Sequence, residues 1–161
     1  MTKESEIKEI VPGEGLGIIK FGMTRDQVKL ILGNPDDTDQ YLTDGIEGED
    51  IETWHYDQHE LSMEFSESTE WRMISIATSA LYTELDGETL IGLKRDELNS
   101  KLEAMGIEDL SEEEVSMEGE SQIILASEET GVNFWLEDDE LSEIQWVPML
   151  DEDDEIDWPE Y

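Results

Sequence analysis

Two stretches of the chain carry apolar residues at helical spacing, and six carry them at or near every second position. Val28, Ile31 and Leu32 form a stripe behind Thr24, with Gln27 three residues after that threonine. Thr24-x-x-Gln27 reads as a capping box, in which each side chain satisfies an orphan backbone N–H at the helix start. Gly33-Asn34-Pro35 ends the helix, because glycine suits the left-handed position after a helix and proline cannot continue one. Leu98, Leu102 and Met105 mark a second helix from Arg95, with Gly106 as its stop. Strands are predicted at 51–56, 61–65 and 73–77, and again at 121–126, 132–136 and 141–147. Turn-forming residues separate the strands of each set, so consecutive strands should pair antiparallel. Alternation with one polar face predicts a sheet covered on one side only.

The two sets belong to one repeat. Gly22-Met23-Thr24-Arg25-Asp26-Gln27-Val28 has a degenerate copy 70 residues later, Gly92-Leu93-Lys94-Arg95-Asp96-Glu97-Leu98. The same spacing matches Phe65 to Trp135, Ile74 to Ile144 and Ile76 to Trp146. The expected fold class is α+β: two tandem helix-plus-three-stranded antiparallel units sharing one sheet, with both helices packed on one face. The expected organisation is a polar leader at 1–16, one unit at 17–80, a second at 81–148 in the same compact domain, and an acidic tail at 149–161.

Charge changes this picture most. Forty-five acidic residues face nine Lys and Arg, for a net charge of −36. Residues 1–80 carry 18 acids and 6 bases, whereas 81–161 carry 27 and 3. Such a field repels nucleic acid and anionic membrane, and it accelerates encounter with a basic protein. The same acidity would also suit an orphan soluble domain from a salt-adapted proteome. Cysteine is absent, which excludes disulfides, thiolate metal sites and a thiol nucleophile. The charged start has no apolar signal core and no apolar run has membrane-spanning length, so the expected location is cytoplasmic.

Catalytic patterns are weak. His55 and His59 flank Asp57 across a predicted turn, where a metal grip of the kind built on one helix does not form. Asp151, Asp153, Glu155 and Asp157 alternate as in a calcium loop, but Ile156 stands where that loop needs glycine. Gly13-Glu14-Gly15-Leu16-Gly17 lacks phosphate-loop spacing, and no nucleophile-elbow or zinc-protease motif occurs. No enzyme activity, metal or other cofactor is expected. The aromatics carry more. Phe134 and Trp135 are adjacent on a strand and point to opposite faces, so a large aromatic should reach the uncovered side. Aromatics ringed by acid make anchors for a basic partner. The candidate binding residues are Trp71, Trp135, Asp138, Asp139, Asp151, Asp153, Asp154 and Trp158.

Gly22-Met23-Thr24, Leu32-Gly33-Asn34-Pro35, Trp54-His55-Tyr56 and Phe65 together resemble a known repeat. It is that of the β-lactamase-inhibitor protein and of the SmpA/OmlA (BamE) outer-membrane assembly lipoproteins. The likeness covers about 17–147; the second copy follows it in outline, with Leu93-Lys94 in place of Met-Thr. It implies a helix-plus-sheet repeat used for protein recognition without catalysis, the open sheet face holding the target. The expected function is therefore a non-enzymatic acidic binding module, an inhibitor or immunity protein that neutralises a basic partner.

Overall fold

The computed structural model describes residues 6–42, 50–117, 119–153 and 155–159. The molecule is mostly β. Thirteen strands form among these residues: β1 (Glu9–Val11), β2 (Gly15–Leu16), β3 (Ile19–Lys20), β4 (Asp37–Leu42), β5 (Asp50–Tyr56), β6 (Leu61–Ser66) and β7 (Arg72–Thr78) in the first half. β8 (Glu84–Leu85), β9 (Glu88–Thr89), β10 (Leu110–Met117), β11 (Glu120–Ser127), β12 (Val132–Glu137) and β13 (Glu140–Trp146) follow. Two helices, α1 (Arg25–Leu32) and α2 (Arg95–Ala104), complete the regular structure with two short 3-10 turns at Asp57–His59 and Glu67–Thr69. Both expected helices and all six expected strands are present. The expected α+β layout of helix-plus-three-strand units, with helices as the covering layer, is not what they build.

The larger sheet has eight strands in the order β10-β11-β12-β13-β7-β6-β5-β4, so each half contributes four strands. The fourth strand of each half, β4 or β10, is an edge. Their sequences, Asp-Thr-Asp-Gln-Tyr-Leu and Leu-Ser-Glu-Glu-Glu-Val-Ser-Met, lack an apolar alternation that would announce a strand. Acidic side chains are how exposed edges avoid pairing with another molecule, which explains both the composition and its silence in the sequence. The smaller sheet has five strands in the order β3-β2-β1-β8-β9, with β1 and β8 parallel. The expected polar leader is thus corrected: β1 is the central strand of this sheet, and Ile7 and Ile10 are 1% and 2% exposed. Two isoleucines among charged residues were sufficient to fix the segment, because each is wholly desolvated.

The repeat holds, with a different register. Thr24 bridges Arg72 and Lys94 bridges Glu140, so the last strands of the two halves correspond at a spacing of 68 residues. Ala77 pairs with Gln145, Ile76 with Trp146 and Thr78 with Ile144. At 68 residues those three pairs map onto themselves, the pattern of a local twofold between β7 and β13. The constant spacing of 70 fails because the turns differ: Glu67–Trp71 joins β6 to β7, whereas Asp138–Asp139 alone joins β12 to β13. Phe65 consequently corresponds to Leu136, with which it shares the core face, and not to Trp135. Ile74 sits at a bulge, half-exposed.

One row of cross-strand neighbours shows how the core face is built. Trp54, Met63, Ile76, Trp146 and Val132 lie opposite one another in succession across five strands, and all are buried. They join a single cluster with Ile10, Leu16 and Ile19 of the small sheet and with Val28, Leu98 and Leu102 of the helices. Full burial of side chains this large contributes roughly 1.5–3 kcal/mol each. Trp146 also donates its indole N–H to the Gly15 carbonyl at 3.1 Å, tying the two sheets together. α1 starts as expected: the Gln27 N–H donates to Thr24 Oγ1 at 3.3 Å, and Gln27 Oε1 accepts from the Thr24 N–H at 2.8 Å. α2 begins at Lys94 without a side-chain cap, and Asp96 and Glu97 in its first turn oppose the positive end of the helix.

Candidate binding surface

Period-two alternation places a second row on the opposite face of the eight-stranded sheet. Asp37, His55, Ser62, Ala77, Gln145, Asn133, Ala126 and Ser111 are neighbours in succession across all eight strands. The middle of this row, Ser62 to Ala126, consists of small or amide side chains, so its floor is shallow. A second row flanks each half. Asp39, Thr53, Glu64 and Ser75 run across the first; Glu143, Trp135, Ile124 and Glu113 run across the second. These rows hold Asp37, Asp39, Glu64, Glu113 and Glu143 and contain no Lys or Arg.

The cations lie elsewhere. Lys8 pairs with Glu84, Arg25 with Glu52, Lys94 with Glu140, Arg95 with Glu112 and Lys101 with Glu88, at 2.8–3.1 Å. Arg25 and Arg95 begin the two helices, and each reaches a carboxylate on the core side of the sheet. Arg95 holds the Glu112 carboxyl below its usual range, by hydrogen bond first and charge second. Glu52 also accepts from the Trp54 indole N–H.

Glu143 is the exception among the acids. Its carboxyl is pushed up from the usual range by burial alone, and among the described residues no cation or hydrogen-bond donor meets it. It stands directly opposite Trp135, whose indole N–H is buried with no acceptor among the described residues. Glu143 also lines a cavity of about 240 Å³ with His55, Asp57, Glu60, Ser62 and Ala77 among its walls. His55 Nδ1 shares a 2.8 Å hydrogen bond with Ser62 Oγ, and Nε2 lies 3.1 Å from Asp39 Oδ2. That connectivity is that of a proton relay, yet β6 lies between β5 and β7 with both ladders paired. No group of three or more His, Asp or Glu side chains converges for a metal among the described residues.

The sequence-expected residues fall into two separate groups. Trp135 lies on the exposed sheet face, as one large aromatic should, and Asp138 and Asp139 form the exposed turn that follows its strand. Both aspartates have left-handed backbone, φ 51° and 66°, as a two-residue hairpin turn requires. The other group sits at the end of the first half. Trp71 lies under the Arg25 guanidinium, 4.6 Å from its ring centroid, packed against the core. The tail folds back there: Leu150 bridges Ile156, and the Asp157 N–H donates to the Met149 carbonyl at 2.8 Å. Asp151 Oδ1 accepts from the Asp153 and Glu155 N–H groups, closing the acidic turn in place of free extension. Trp158 is half-buried beside Arg72, 5.8 Å from guanidinium to ring. Asp154 lies outside the described residues. Asp39, Ser62 and Glu143 were missed by sequence reasoning, and His55 was considered there only as a metal ligand with His59. The one available signal was Glu143 itself, a carboxylate set inside the alternating strand Leu141-Ser142-Glu143-Ile144.

Comparison with family models, curated proteins and solved structures finds no match. No helix among the described residues is long and apolar enough to cross a membrane.

Proposed function

We propose that this chain is a non-enzymatic cytoplasmic binding protein of inhibitor or immunity type, which seats a basic protein on the exposed face of its large sheet. One observation carries the reading: the central rows of that face combine a shallow floor of small side chains with five carboxylates and no Lys or Arg, while Arg72 and Lys94 stand at its margin, at the ends of the last hairpins. The floor lets a partner's backbone approach closely. The carboxylates steer it and reject acidic competitors. A partner's Lys or Arg entering the cavity beside Glu143 would pair a carboxylate that burial alone penalises. The resemblance to the inhibitor and assembly-lipoprotein repeat points to the same mode of use. A net charge of −36 opposes nucleic acid and anionic membrane as alternatives.

The test compares the immobilised chain with an Asp39→Asn/Glu64→Gln/Glu143→Gln variant in extract from its source cells. Basic proteins retained by the native chain should elute steeply with salt and be retained poorly by the variant. Equal retention by both would move the site off this face. If no basic protein is retained, the acidity reports a salt-adapted proteome and the proposal fails.

A further inference from the structure

The two halves share a notch that, among the described residues, is filled on one side only. Gly22 donates its N–H to the Met73 carbonyl at 3.0 Å, and Gly92 does the same to Leu141 at 2.8 Å. Met73 and Leu141 donate back to the Met23 and Leu93 carbonyls, each at 2.9 Å. The glycines have φ of 91° and 94°, which residues with a Cβ rarely adopt, and both leave a bare patch of backbone at the helix entry. In the first half that patch is occupied. A Cβ on Gly22 would lie 2.9 Å from Trp158 Cε3, so the indole rests where a side chain would otherwise stand. In the second half, among the described residues, only Leu81 approaches, its Cδ2 3.8 Å from the corresponding point on Gly92. Leu81 is 68% exposed, an apolar side chain at the rim of an unfilled copy of an aromatic seat.

We infer that the notch at Gly92 and Leu81 takes an aromatic side chain supplied by the basic partner, an inference that rests on the proposed function. Trp158 in the equivalent notch shows what the geometry accepts. Charge decides where the occupant comes from. Where the filled notch has Arg72 beside the ring, the open one has Glu140, whose charge Lys94 balances at 2.9 Å, and before it Asp138 and Asp139, which leave the rim acidic. The tail of a second copy would bring Asp151, Asp153, Glu155 and Asp157 against those acids and be repelled. An aromatic flanked by Lys or Arg meets them favourably, and Leu81 with Gly92 excludes water beneath it.

The probe is a blocked pentapeptide, Lys-Ile-Lys-Trp-Pro, which is the 155–159 sequence with lysine at its acidic positions, titrated into the isotope-labelled full chain by NMR. The largest shifts should fall on Leu81, Gly92 and Glu140. Leu81→Ser, at an exposed position where folding is not at stake, should weaken binding about tenfold, the scale of a truncated interface anchor. Replacing tryptophan by alanine in the peptide should do the same. Shifts confined to Gly22 and Arg72 would overturn the inference, because the peptide would then be displacing the tail. Equal, salt-sensitive binding of the tryptophan and alanine peptides would overturn it too, while leaving the basic-partner reading intact. Tight binding of the unaltered acidic pentapeptide would assign the notch to a second copy instead.

Discussion

Ile10→Ala tests whether the amino-terminal segment is part of the fold or an appendage. Ile10 is 2% exposed, lies on the central strand of the small sheet, and pairs with Leu16 on one side and Leu85 on the other. Truncating a buried isoleucine to alanine removes the transfer free energy of the lost carbons and leaves a cavity, a cost of about 2–5 kcal/mol. A domain of ordinary size is stable by roughly 5–15 kcal/mol in total, so this one change should remove a large part of it. Urea unfolding followed by tryptophan fluorescence reads the loss directly. With a slope of about 1–3 kcal/mol per molar urea, the midpoint should fall by at least ~0.7 M with the slope unchanged. Ile18→Ala is the control: that side chain is 40% exposed, and surface changes stay within about 0.5 kcal/mol. If both variants unfold with the native chain, the small sheet contributes nothing and the leader is a passenger. The Trp146 hydrogen bond to the Gly15 carbonyl would then also be dispensable, and a single core spanning both sheets would be refuted.

Other outcomes follow from the same physics. Glu143→Gln should stabilise the free protein at neutral pH, because the folded carboxyl sits above its unfolded value and loses stability as pH rises through that window. The gain should vanish below the ordinary glutamate value of 4.5, where both states are protonated, and a pH series of urea midpoints would show it. Tyr56, pushed up to about 12 by burial and then by the Asp36 charge, should give an ionisation step well above the ordinary tyrosine value of 10.0 in an alkaline absorbance titration, a step that Tyr56→Phe removes. Its contribution to stability is present below pH 10.0 and lost between there and about 12, so a Tyr56→Phe variant should lose less stability over that range. Arg25→Ala should destabilise by about 1–3 kcal/mol, since it strips the ion pair from the largely buried Glu52 and uncovers Trp71; calorimetry would register the lower Tm. Added salt should raise the Tm of the native chain, because screening relieves the self-repulsion of its −36 charge.

Where apolar residues alternate or recur at helical spacing, the sequence located the elements to within a residue or two. Leu61-Ser62-Met63-Glu64-Phe65 and Thr24-x-x-Gln27 are such places. What it hid has physical causes. β4 and β10 are edges, and an edge gains from carboxylates that propensity counts against it. The small sheet uses strands of two or three residues, too short for any period to register. The 70-residue spacing, true at the glycines, concealed a three-residue difference in one turn, and so matched Phe65 to Trp135 in place of Leu136. Trp135 was still recognisable as a surface aromatic from its neighbour Phe134 alone, because adjacent strand residues cannot share a face. Glu143 and His55 converge only through strand order, which no local pattern encodes.

The corrected register also changes where function should be sought. A local twofold relates the two halves of the large sheet, so whatever the halves share serves the scaffold: the glycine notch, the arginine that opens each helix and its carboxylate, the buried rows. What they do not share is concentrated at the ends of the last hairpins. The first half has a five-residue turn, a tryptophan held under Arg25, and the folded-back tail with Trp158 in its notch. The second has a two-residue aspartate turn and, among the described residues, the exposed Leu81 alone near Gly92. Apolar surface left bare beside the acidic Asp138–Asp139 turn is costly to keep without a use, and the chain shows at its other end that it can cover the same feature. The second half carries the greater share of the negative charge, 27 acids against 3 bases from residue 81 onward. A basic partner drawn toward that half would meet the Trp135–Glu143 pair on the sheet and the Gly92 notch at its end, and both lack an occupant of its own chemistry.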